Sequence, residues 1–253
     1  MKGLIYKNII LNKLYFIISA AVPTLFGMFL ILAFCLSGDD AKAELESFAD
    51  GSMILMLFIL FGAFIAFMTQ SNTIGCDETK KWAYFITSSP RGVKGQVLSQ
   101  YSSIFLLSLI TAASSLVAEL LAAVIVKVST GENFEIDLRI IAGLFFVMVF
   151  LNALELPFLF RFGSKRGAFV KMIMGLILII AIMIYLLFGP LPDDMDSFME
   201  AVMKAVDEFR HGRTPKVVKI ICRAFPFVSL GAYAGSYFIS CKVYLKGVEN
   251  YDK

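Results

Sequence analysis

Residues 103–126 read SIFLLSLITAASSLVAELLAAVIV and carry a single charge, Glu119. A helix rises about 1.5 Å per residue, so a run of this length covers the roughly 30 Å of hydrocarbon in a bilayer. The barrel-like alternation of a membrane strand is absent. Inside lipid each backbone N–H and C=O must then find its partner within the segment, which only a helix provides. Five further apolar runs follow the same reading: Leu14–Leu36, Met53–Thr69, Ile140–Phe160, Met172–Phe188 and Ala224–Cys241. Composition agrees, since 253 residues that are 58% hydrophobic with 25 Phe hold more apolar surface than one water-soluble core would hide. The expectation is an all-α polytopic membrane protein, six transmembrane helices forming one domain over residues 1–253.

The basic residues orient this bundle. With the N-terminus inside, Lys2, Lys7, Lys13, Lys80, Lys81, Arg91, Lys94, Arg161, Lys165, Arg166, Lys171, Lys242, Lys246 and Lys253 all face the cytoplasm. The first two outer loops hold only Lys42, Lys127 and Arg139 beside acids such as Asp39, Asp40, Glu44, Glu132 and Asp137. The positive-inside rule therefore puts both termini in the cytoplasm. Residues 189–223 are the exception, an outer segment with six basic and six acidic side chains. The net charge of +3 is mostly this topological bias and points to no nucleic acid. The first apolar run exceeds the core of a cleaved signal and is expected to remain as a span. Cys35, Cys76, Cys222 and Cys241 fall singly, without metal-ligand spacing.

Between the second and third runs lies DETKKWAYFITSSPRGVKGQ, residues 77–96. Asp77 can cap a short helix with Glu78 in its first turn. Trp82, Phe85 and Ile86 then share a face at i, i+3 and i+4, and Pro90 stops the helix. Such an element is either an interfacial anchor, with Trp82 at headgroup level, or an aromatic knob with a charged rim that docks a soluble partner.

The stretch DETKKWAYFITSSPRGVKGQVLSQY resembles the loop of ABC type-2 transporter permeases, the membrane subunits of ATP-binding-cassette exporters. The basic start MKGLIYKNIILNK, the LPFLFRFGSKRG exit of the fourth run and the SYFISCKVY ending of the sixth are similar to that family in the same order. Gln100 stands where a Lys is usual, and Thr87-Ser88-Ser89 replaces a more apolar run. Within the family the chain is similar to bacterial plasma-membrane permeases that expel amphipathic peptides, including phenol-soluble-modulin exporters. The resemblance implies a coupling helix at residues 77–90, in which Asp77, Glu78, Lys81, Trp82 and Phe85 contact a separate ATPase. Arg161 and Lys165 offer a second contact or plain topogenic charge. The resemblance also implies two ABC ATPase subunits carrying ATP and Mg, a second permease chain, identical or paralogous, and surrounding lipid. No cofactor belongs to this chain. No G-x-x-x-x-G-K-[ST] occurs in it, so any ATP hydrolysis must come from a partner, and the chain is read as a transport subunit, not an enzyme.

Polar groups inside the apolar runs are costly, on the order of 2–3 kcal/mol for a mid-span carboxylate. Glu119 and Glu155 lie at different depths, roughly 10 Å and 24 Å from the outer edge. Asn152, Glu155 and Pro157 in NALELP are expected to line a wet inner cavity at a kink, or else to lock helices together by hydrogen bonds. Beyond the fifth run, Met195, Phe198, Met199, Val202, Met203, Val206 and Phe209 share one helical face. Phe198, Met199 and Met203 could form an outer lid over an exit path, or this face could simply pack on the bundle. The lone His211 lies away from both glutamates, which argues against an intramembrane enzyme. An ATPase-independent immunity or scaffold protein is the other alternative.

Overall fold

The computed structural model describes residues 2–36, 51–70, 72–75, 79–90, 92–130, 138–188 and 216–248. Among them there is no strand. Eight helices follow in order: α1 (Lys2–Leu11), α2 (Lys13–Leu36), α3 (Gly51–Gln70), α4 (Asn72–Gly75), α5 (Lys80–Thr87), α6 (Gly92–Thr130), α7 (Leu138–Phe188) and α8 (Lys216–Val248). Every one of the six apolar runs lies within a helix. Two helical stretches among the described residues are long and apolar enough to cross a membrane, Gly92–Ile125 and Leu138–Ser164. A third forms if Gly3–Leu11 and Lys13–Phe29, bent by 65°, act as one.

The packing is that of a protein dissolved in lipid. Phe29, Leu25, Val124, Phe227 and Phe238 are exposed, while Gln70, Gln96, Ser99, Gln100, Ser103, Ser108, Thr111, Ser115, Glu119, Asn152 and Glu155 are buried. Lipid tails are as apolar as Leu, so helices gain nothing by hiding Leu and Phe from them. Their contacts come from small side chains and hydrogen bonds. On α6 the buried polar residues from Gln96 to Glu119 follow helical spacing, with buried Ile104 and Leu107 bridging the step from Ser103 to Ser108, which makes one continuous inward stripe.

Three expectations change. The connection between the fourth and fifth apolar runs, residues 161–171, expected as a cytoplasmic loop from the ends of those runs, is helical on both sides of one residue, Gly163, at φ 82° and ψ 167°. That combination is open essentially to glycine alone, so the chain breaks there, six residues after Pro157, which itself lies inside the helix. Beyond the break the chain doubles back: a Cβ on Gly167 would lie 2.9 Å from Leu159 Cα. Second, the cap of α5 is Thr79, not Asp77; its side chain accepts the Trp82 N–H at 3.3 Å. Asp77 and Glu78 lie outside the described residues. Third, Phe85 and Ile86 part company, Phe85 outward at 65% exposure and Ile86 buried. Neighbouring helical positions are about 100° apart, so they straddle the edge of the buried face. The Met-rich segment with Phe198, Met199 and Met203 also lies outside the described residues.

One end of the bundle gathers most of the segments rich in Lys and Arg. Ile74 of α4, Ala83 of α5, Val97 of α6, Phe160 of α7, and Tyr244 and Val248 of α8 meet in one apolar cluster. Gly247 is required for this meeting, because a Cβ there would collide with the Phe160 carbonyl. Tyr101 pins α6 to α8: its hydroxyl lies 2.7 Å from both Ser236 Oγ and Ser240 Oγ. Tyr233 adds a bond to the Tyr101 carbonyl at 2.7 Å.

Candidate functional site

The short helix α5 sits on this cluster and presents a defined surface. Its N-cap is Thr79, in extended conformation, and Ala83 N–H donates to the Thr79 carbonyl at 3.0 Å. The other end is closed by three successive hydroxyls. Thr87, Ser88 and Ser89 donate back to the carbonyls of Tyr84, Phe85 and Ile86 at 2.8, 2.8 and 2.7 Å. The Tyr84 and Ile86 carbonyls also accept Ser88 N–H at 3.3 Å and Ser89 N–H at 3.0 Å, so the Thr-Ser-Ser run closes the last turn with both backbone and hydroxyl donors. An eight-residue helix is too short to persist on propensity, so caps and the buried Ala83 and Ile86 hold it in place.

Outward, α5 shows Lys81, Tyr84 and Phe85, the two aromatic rings 60% and 65% exposed. Trp82 is placed differently. Lys7 Nζ of α1 lies 3.6 Å from the centroid of its ring, and the Phe85 ring is 5.6 Å away. A cation over an indole contributes about 0.5–1 kcal/mol at exposed sites and about 2 when desolvated. Trp82 is half-buried, so the aromatic surface left for a partner is that of Tyr84 and Phe85. Arg161 is exposed next to the Gly163 break, its guanidinium 5.4 Å from the Phe162 ring. The Lys165 side chain lies outside the described residues.

The second polar feature is a network inside the bundle. Asn152 Nδ2 of α7 donates to Gln70 Oε1 of α3 and to Ser108 Oγ of α6, each at 3.1 Å. Ser108 Oγ also donates to Gln70 Oε1 at 3.1 Å, and Gln70 Nε2 reaches Thr111 Oγ1 at 3.5 Å. Three helices are tied at one level by four side chains. Of these, the sequence pointed only to Asn152. Gln70 lies just past an apolar run and Ser108 and Thr111 look innocuous within one, yet the three-and-four spacing of Ser108, Thr111, Ser115 and Glu119 on α6 was the available signal. Glu155 is buried one turn after Asn152, on the same inward side of α7. Glu119 is buried eleven residues beyond Ser108, a rise of roughly 16 Å along α6, beside the Ile59–Ala118–Ala122 cluster. Among the described residues no group of His, Cys, Asp and Glu could hold a metal ion.

Apolar helices outside, hydrogen-bonded polar side chains inside and a capped surface helix at one end define a helical membrane protein. A family model described as ABC-2 family transporter protein matches residues 3–245, and the chain belongs to that family. Membership makes it a membrane transport subunit, of a kind that associates with an ABC ATPase. No curated protein and no solved structure matches the chain.

Proposed function

We propose that the chain is the permease subunit of a bacterial ABC exporter that moves amphipathic or hydrophobic peptides, or similar antimicrobial compounds, out across the plasma membrane. Six spans with both termini in the cytoplasm form half of a pathway, and a second permease chain completes it above two ATPases. The observation that carries this reading is α5: a doubly capped helix seated on the apolar cluster, with Lys81, Tyr84 and Phe85 facing outward. Exposed aromatics with a charged neighbour on a rigid base are what a protein interface uses as anchors. Nucleotide-driven closure of the ATPases pushes α5, and the helices rock between two arrangements. Asp77 and Glu78 extend the rim in this reading, and Arg161 and Lys165 supply a second contact. In this reading Asn152 and Glu155, buried among the helices, border the path from within the bundle with Glu119 farther out, and Phe198, Met199 and Met203 cover its outer mouth.

Phe85→Ala and Lys81→Glu test the docking role. Each variant should elute as a folded, monodisperse permease. Each should retain at least about tenfold less of the co-expressed ATPase, the loss expected from roughly 1.4 kcal/mol at an interface anchor. Wild-type retention in both variants, with wild-type export, would remove α5 from the interface.

A further inference from the structure

We infer that Lys7 is a positioning residue for the coupling helix, and that through it α1 is a lever passing movement of α5 to α2; this rests on the coupling role proposed for α5. Four observations carry it. Lys7 Nζ sits 3.6 Å over the Trp82 ring. The indole N–H of Trp82 is buried without an acceptor among the described residues, so the cation and the Phe85 ring, and not a hydrogen bond, orient it. The next residue of α1, Asn8, is buried and donates to Ser99 Oγ of α6 at 3.3 Å, which holds α1 across the start of α6. Finally, α1 meets α2 at a 65° bend centred on buried Asn12, whose carbonyl accepts from Tyr15 N–H at 2.9 Å and Phe16 N–H at 3.3 Å.

The bend is a connection that transmits rotation, because Asn12 N–H still donates to the Asn8 carbonyl at 3.0 Å and the chain does not unwind. On its far side α2 is engaged along its length. Ser114 Oγ of α6 donates to the Ala20 carbonyl, and Gly27 faces Ala118 of α6 and Ile59 of α3. A push on α5 therefore reaches α2 by one short contact, Lys7 over Trp82, and one stiff corner, with the Asn8–Ser99 bond holding α1 on α6. Trp82 is the receiving end of that path, and the docking surface is left to Tyr84 and Phe85.

The chain contains a single Trp, so its emission reports on this contact alone in the purified permease. In lipid vesicles of phosphatidylethanolamine and phosphatidylglycerol carrying the purified permease alone, Lys7→Ala should raise acrylamide quenching of Trp82 about twofold by uncovering the ring, and Lys7→Arg should leave it as in wild type. With the ATPase co-expressed, Lys7→Met should keep the ATPase bound but lower vanadate-sensitive ATP hydrolysis by the complex about tenfold, and Lys7→Arg should restore it. Unchanged quenching in Lys7→Ala overturns the contact. Wild-type hydrolysis in Lys7→Met, while Phe85→Ala still loses the ATPase, overturns the lever and leaves the docking reading standing. If Phe85→Ala and Lys81→Glu both retain the ATPase, the docking reading falls instead, and the quenching result still decides the Lys7–Trp82 contact.

Discussion

Gln70 is the residue on which the interior network depends, since its one carbonyl oxygen accepts from both Ser108 and Asn152. Gln70→Leu leaves those donors buried without that acceptor. In water-soluble proteins an orphaned group costs about 1–3 kcal/mol, and in bilayers each interhelical bond averages about 0.6. The loss should be visible as a lower thermal midpoint of the detergent-solubilised permease, followed by loss of monodispersity on heating. Thr111→Val removes only the long 3.5 Å contact and should cost distinctly less. Equal destabilisation by the two substitutions would show that the network does not act through the Gln70 oxygen. Both variants keep α5 unchanged, so ATPase retention serves as their control.

Among the elements, α7 and α8 use glycine in opposite ways, and one substitution in each separates the two. Gly163→Ala forces a side chain onto φ 82° and ψ 167°, a conformation that costs on the order of 1–3 kcal/mol for other residues. It should lower the yield of folded permease and loosen the turn that brings Gly167 against Leu159. Gly231 of α8 is helical and exposed, with nothing within 4 Å of an added Cβ. Gly231→Ala should be neutral, or stabilise the chain by up to about 1 kcal/mol through helix propensity. A marked loss on Gly231→Ala would mean that another surface covers α8 in the assembled protein. Thermal unfolding of both variants beside wild type checks the contrast.

For the whole molecule, the coupling role of α5 requires it to lie on the cytoplasmic side of the membrane. The count of basic residues predicts that it lies inside, and the shared cluster of α4, α5, α7 and α8 keeps those segments at one end of the bundle together. In a background with Cys35, Cys76, Cys222 and Cys241 replaced, a cysteine at Ser88 should react with an impermeant maleimide only in inverted vesicles, and one at Glu132 only in intact cells. Labelling of Ser88→Cys in intact cells would reverse the orientation and with it the coupling role.

How much of this was legible beforehand depended on distance along the chain. Periodicity and run length are local, and so the helical class, the six apolar runs and the short helix after the second run could be read from composition and spacing alone. The family resemblance rested on local motifs as well, and the match over residues 3–245 agrees with it. What folding decided are relations between segments far apart in sequence. No spacing rule joins Lys7 to Trp82, or Gln70 to Ser108 and Asn152, because each pair meets only after helices dock. The same holds for the turn at Gly163 and for Ile86 facing inward while Phe85 faces outward. An isolated helix has no inside until its neighbours supply one, and in lipid that choice is made by hydrogen bonds and close backbone approach, not by apolarity, which is uniform along these runs.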